Sequence, residues 1–552
     1  LLPSGRFGDF SEAPSQSHLI LRDKAIPMQR NPTKESFNPF ALVQRRSFLR
    51  GAGACAALGS TSILSTLLNL KLTNSVMAAR DDLTDYKAMV CIFLYGGNDS
   101  FNMLTPYEQS EYDDYASIRS NLAIDRGDLL PINSGQQGRQ LGMHPGLSSL
   151  SQSYTDGKLA FLANVGSLVE PINKSNFSQR QKPQGLYSHS DLVQHWQTNV
   201  PQNRTQATGW AGRMSDLLSD TVNANSNIAM NIALGGINIF QSGAETVPYV
   251  ISEDGASVLE GYNGNWGRMD KIYTRFTDSA LAENYADVLE KTYANTKRTS
   301  IDAADRFNSA TGESNLTTVF PGTSLGNQLK MVAKTIDARA ALGHGRQIFF
   351  VTHHGWDNHD EVLNNQMYRL PQVAQAMQAF YDATVEMNIA DKVTSFTASD
   401  FGRTLASNGN GSDHGWGGNQ MIMGGAVQGG RVYGDYPETL RAGNDLDLDR
   451  GRLIPTTSVD QYSAELAFWF GMSNDSDLET VIPNIREFYG SGETSDPIGF
   501  LGSGTAPGTG NSAPAGGSAS GGRDSRTGGS KGSRSSPSKS GSSSAGNASP
   551  GR

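Results

Sequence analysis

The chain has 552 residues, 54 acidic against 45 basic side chains, a net charge of −9 and two cysteines. An acidic chain of this kind excludes nucleic acid as a main partner. So few cysteines exclude a disulfide-built fold or a thiolate-rich metal site.

The front of the chain reads as an address. In "QRRSFLRGAGACAALGSTSILSTLLNL", Arg45 and Arg46 precede Ser47-Phe48-Leu49 and a weakly apolar run. Gly51 to Leu70 is about long enough to cross a bilayer, but eight of its residues are Gly, Ser or Thr, which argues against a permanent anchor. "SVMAAR" then offers Val76 with Ala78, or Ala79, to a signal peptidase. These features predict a leader over residues 1–79 that engages the twin-arginine export machinery. They place the product in the periplasm or outside the cell, with no stable membrane span after processing. Met28 would start a signal of ordinary length, an expectation that leaves residues 1–27 outside the natural product.

The body is expected over residues 80–500. It keeps one cysteine, Cys91, so it holds no internal disulfide. Met89–Tyr95 is a continuous apolar run closed by Gly96-Gly97, as expected of a strand buried on both faces. "KLAFLANVG" (158–166), "RQIFFVTHHG" (346–355) and "DKVTSFTASDFG" (391–402) predict three more strands. Helical spacing over 325–342 and 370–389 comes directly before the third and fourth. Alternation of this kind predicts an α/β fold with a mostly parallel central sheet. Residues 200–320 are more polar and read as an insertion or cap. From residue 501 the chain is Gly, Ser, Ala and Pro, a composition that buries too little to order itself. Its six Lys and Arg against one Asp make it basic, which leaves about −14 on the rest of the chain.

Three of the predicted strands end in loops rich in potential ligands: Asn98-Asp99-Ser100, then Asp357-Asn358-His359, then Asp400. In parallel sheets such loops gather at the carboxyl edge. Asp99, Asp357 and Asp400 should therefore lie along one edge, with His414 returning on the loop after the fourth strand. Asp and His without cysteine suit zinc, manganese, magnesium or calcium, as one ion or as a pair that clamps both oxygens of a displacement.

"YGGNDSFNML", "LGMHPGL", "YSHSDLVQHWQTN", "TGWAGRMSDLL", "GWDNHDE" and "SDFGRT…SDHGWGGNQMIMGG" occur in this order. Together they resemble the exported domain-of-unknown-function 1501 family, which is similar to the alkaline phosphatase and sulfatase superfamily. The resemblance implies a three-layer α/β/α fold and a divalent metal site that cleaves phosphate or sulfate esters. It implies ligands at Asp99, Asp357, His359, Asp400 and His414. Phe401 stands where the superfamily has a histidine, so one metal loses a ligand unless Asp413 or His189 replaces it. Ser188, at the start of a predicted helix, and Ser100 are the candidate nucleophiles, and Arg403 is a candidate grip on ester oxygens. Trp210, Trp356 and Trp416 are expected to wall the cleft, which would suit a small-molecule or polysaccharide ester substrate. The rival expectation is a non-catalytic exported protein on the same fold that binds a metal, a glycan or a surface partner.

Overall fold

The computed structural model describes residues 83–501, apart from 137, 224–226, 265–266, 473 and 494. The leader and the basic tail lie outside the described residues.

In chain order the strands are β1 (Lys87–Tyr95), β2 (Leu104–Pro106), β3 (Leu130–Asn133), β4 (Gln140–Met143), β5 (Leu159–Gly166), β6 (Asn231–Ala233), β7 (Tyr249–Val250), β8 (Arg346–His354), β9 (Val393–Ser399), β10 (Gly418–Gly424), β11 (Val432–Tyr433) and β12 (Thr457–Ser458). Helices of ten residues or more are α1 (Gln109–Arg119), α2 (His189–Thr198), α3 (Trp210–Val222), α4 (Arg268–Leu281), α5 (Val288–Gly312), α6 (Ser324–Asp337), α7 (Val362–Glu386) and α8 (Val459–Phe470).

The central sheet runs β11-β5-β10-β9-β1-β8-β6-β7, with β12 also on β5. Every pairing in it is parallel except those of β10, which runs against both β5 and β9. Strands β2, β4 and β3 form a small antiparallel sheet beside it.

Strand β1 explains the layering. Its even residues Ala88, Val90, Ile92 and Leu94 join one apolar core, and Met89, Cys91 and Phe93 join another. Side chains alternate between faces, so a strand apolar at every position must be covered twice. The first core is closed by Leu325, Leu329, Val332 and Ile336 of α6, and by Val373, Met377 and Phe380 of α7. The second is closed by Trp210, Met214 and Leu218 of α3, and by Tyr462, Leu466 and Phe470 of α8. Each such side chain contributes about 1.5–3 kcal/mol when fully buried. The chain thus adopts the three-layer α/β/α architecture with a mostly parallel sheet.

All four expected strands form within three residues of their predicted ends. Helix α7 starts at Val362, eight residues before the expected start at 370, and carries Pro371 inside it. Proline breaks a helix by removing one donor and crowding the preceding turn. Here Val362, Gln366, Leu370 and Val373 are buried on one face across that point, so packing outweighs the lost bond.

Register positions the site. Tyr95 pairs with His354, and Leu94 with Ser399, so β8, β1 and β9 end side by side. The loops beginning at Gly355, Gly96 and Asp400 therefore leave one edge of the sheet together.

Candidate metal site

The loop 400–418 folds back on itself. Gly402 N–H donates to Trp416 O at 2.9 Å, and Arg403 bridges His414. A Cβ on Gly402 would stand 2.0 Å from Gly417 O, so only glycine permits this approach. The fold-back returns His414 to the edge where Asp400 left it. Helix α2 supplies His189 at its first position, and the loop after β8 supplies Asp357 and His359.

These four side chains converge. His414 Nε2 lies 3.0 Å from His189 Nε2 and 2.9 Å from His359 Nε2. Asp357 reaches all three: 3.1 Å from His359 Nε2, 3.4 Å from His189 Nε2 and 3.5 Å from His414 Nε2. The other ring nitrogen of each histidine is held by an oxygen. His189 Nδ1–H donates to Asp400 Oδ2 at 2.7 Å, His414 Nδ1–H to Tyr187 O at 2.8 Å, and His359 Nδ1–H to Asp413 Oδ1 at 3.2 Å.

A carbonyl or carboxylate only accepts, so each Nδ1 carries the proton. In the neutral rings each Nε2 then presents a lone pair; that of His414 faces those of His189 and His359, and the Asp357 carboxylate lies beside all three. That grouping is repulsive until a cation enters it. Three imidazoles whose far nitrogens are tied to oxygen acceptors match the usual setting of a metal-bound histidine. The ligand atoms of His189, Asp357 and His414 all lie within 4.8 Å of one another, a spacing that could hold a metal ion, and His359 adjoins this triad through His414 and Asp357. Asp357 and His359 are each 46% exposed, so the cluster opens to solvent on one side.

Charge around the cluster is balanced by arginines. Burial opposes ionisation of Asp357, but the hydrogen bond and charge of Arg403, with His189 and His359, outweigh it and hold its pKa below the usual range. Burial likewise opposes Asp413, yet bonds from Asn408, Arg450 and His359 hold it at about 2. The bond to Asp400 raises the pKa of His189 more than burial lowers it. Burial lowers that of His414, and the Tyr187 carbonyl opposes it only in part.

Other expected site residues lie elsewhere. Asp99 is not brought to the cluster. It is buried, and its Oδ2 accepts from Arg119 Nη2 and from Ser412 Oγ, both at 2.7 Å. Arg119 is itself fully buried at the end of α1, and a buried guanidinium requires such a partner. Asp400 stands one bond behind, orienting His189, while its Oδ1 accepts from Gly96 N–H at 3.0 Å. Arg403 is 1% exposed and spends its donors on Asp357 Oδ1 at 2.9 Å, on Gly96 O and on Ser412. It steadies Asp357 and offers no face to an ester. Ser100 is buried, and its Oγ accepts from Asn419 N–H at 2.7 Å. Ser188 caps α2 by position without a side-chain cap bond, and its Oγ lies 3.2 Å from that of Ser190.

The three tryptophans do not wall a cleft. Trp210, Trp356 and Trp416 are at most 2% exposed and belong to the cores. The ring beside the cluster is Phe401, whose centroid is 4.8 Å from those of both His189 and His414. Sequence reasoning passed over Tyr187 and Arg450. Tyr187 has φ of 75°, which turns its carbonyl toward His414. Arg450 Nη1 binds Asp413 Oδ2 at 2.6 Å. No spacing rule announces either contact.

No curated protein matches the chain. Among solved structures it is similar to that of Ps i-CgsB in complex with k-i-k-neocarrahexaose, at 10% identity and a TM-score of 0.30, over 72% of this chain and 74% of that one. It is also similar to the PsFucS1 sulfatase from Pseudoalteromonas sp., at 9% identity and a TM-score of 0.28, over 67% and 66%. Overlaps this low transfer neither activity nor site residues. The family model described as "Protein of unknown function (DUF1501)" matches residues 86–453, and the chain belongs to that family.

Proposed function

We propose that the chain is an exported metal-dependent hydrolase of phosphate or sulfate esters, with His189, Asp357, His359 and His414 holding one divalent ion. The observation that carries this reading is the convergence of three Nε2 atoms whose rings already donate through Nδ1. Three imidazoles and one carboxylate suit zinc or another first-row transition ion such as manganese. Magnesium and calcium prefer all-oxygen shells, so the donor set argues against both. When bound, such an ion supplies Lewis acidity toward a phosphoryl or sulfuryl oxygen. The chain's own residues fix the shell: Asp400, Asp413 and the Tyr187 carbonyl orient the imidazoles, and Arg403 holds Asp357. Ser188, between Tyr187 and His189, is the candidate nucleophile. Export rests on Arg45-Arg46 and the apolar run after them.

The second reading, a non-catalytic metal- or glycan-binding protein on this fold, is favoured by one observation: Ser188 bonds Ser190 and the Asp191 carboxylate, and Ser100 accepts from Asn419 N–H, so neither hydroxyl is bonded to a histidine of the cluster. The test is hydrolysis of aryl phosphates and aryl sulfates by the full chain after zinc or manganese is supplied. Turnover that disappears in Asp357→Asn supports the hydrolase. A metal-loaded chain that cleaves neither ester class would leave the binding reading in its place.

A further inference from the structure

The region read from sequence as an insertion carries an unpartnered apolar face. Helix α4 has no buried residue along its fourteen positions. Met269, Ile272 and Phe276 are 72%, 49% and 71% exposed, and Tyr273 is 40% exposed. Helix α5 begins beside it with Val288, Leu289 and Tyr293, at 75%, 79% and 70%. The two helices are tied by Arg298, which bonds Asp278 and Tyr262. With Val258, eight of the fifteen large apolar residues most exposed among the described residues lie in this one stretch.

On a helix, positions 269, 272, 273 and 276 share one side. A fourteen-residue helix is marginal in water by itself, so its order calls for something against this side. Large apolar side chains left this exposed in one stretch are more than a monomer usually leaves bare.

Charge selects the occupant. Residues 258–298 carry six basic and six acidic side chains, a neutral stretch in a body of strongly negative charge. A neutral face has no general attraction for an anionic membrane or glycan. It is, however, a place where two acidic bodies can meet without net repulsion at the contact. It also fits itself. With α4 antiparallel to its copy about a two-fold axis between Ile272 and Tyr273, Met269 meets Phe276 of the second copy, and Ile272 meets Tyr273.

We propose that this face joins two copies of the chain in a symmetric dimer centred on α4. The test is sedimentation velocity on the full chain over a wide concentration range. It would compare wild type with Phe276→Asp, and with Val319→Asp as a control at an exposed apolar site outside the hairpin. The expected result is twice the chain mass for wild type and for Val319→Asp, and a single chain mass for Phe276→Asp, whose unfolding stays cooperative but, unlike that of wild type, does not shift with concentration. Ile272→Cys, beside the axis, should then form a chain-to-chain disulfide that wild type, with Cys55 and Cys91, does not. A wild type that stays monomeric at every concentration would overturn the proposal, including one that binds anionic vesicles instead. So would a dimer that survives Phe276→Asp and is not cross-linked through residue 272.

Discussion

At the scale of single residues, the aspartates separate into different tasks although they share one sheet edge. Asp357 points into the cluster, Asp400 and Asp413 stand behind histidines, and Asp99 neutralises Arg119. Substitutions should tell them apart. Asp99→Asn leaves the Arg119 charge buried without a carboxylate and should cost about 3–5 kcal/mol of stability, by denaturant unfolding, while metal content is unchanged. Asp413→Ala leaves His359 unheld and should weaken metal affinity about 10–100-fold in a competition titration, with a small change in stability. A titratable group far from the cluster gives a pH test. Burial raises the pKa of Asp460 from 3.8 to about 7, while the Ser458 bond only partly opposes it. The unfolded chain releases this proton first, so stability falls as pH rises from about 4 to about 7 and is level above that. A shift of this size is worth on the order of 4 kcal/mol. Asp460→Asn should flatten that part of the stability profile.

At the scale of elements, the site depends on where β1, β8 and β9 end and on how closely their loops pack. Gly96 has φ of 119°, and a Cβ there would stand 2.3 Å from Asp357 N. Gly96→Ala should therefore displace Asp357, lower the unfolding temperature by several degrees and reduce metal binding. Gly322→Ala, with nothing within 4 Å of the added carbon, should do neither. Much of this level was legible in the sequence. Runs such as "MVCIFLY" and "RQIFFV" are apolar at every position because the strands are covered on both faces. The ligand-bearing loops follow them directly. Less legible was what each loop residue touches. The Arg119–Asp99 pair joins residues whose separation obeys no helical or strand rule. The carbonyl that holds His414 depends on the backbone angle of Tyr187, which its identity does not announce. The tryptophans pointed to a cleft, but their size favours the core as strongly, and the core took them.

At the scale of the whole molecule, the arrangement is one sheet edge crowned by loops, with the 268–293 hairpin carrying the exposed apolar face. The sheet and its two helical layers were legible as a class. The hairpin was not, because amphipathic helices that leave apolar side chains exposed look polar on average. The central claim is that the crown is a single metal centre built from three histidines and Asp357. Its most direct test is the metal content, by mass spectrometry, of the folded full chain purified without chelator. Wild type would be compared with His414→Ala and Asp99→Asn. The account predicts close to one equivalent of zinc or another first-row transition ion per chain in wild type and in Asp99→Asn, and almost none in His414→Ala. A folded wild type that takes up no metal even when it is supplied, or a metal retained in full by His414→Ala, would contradict it.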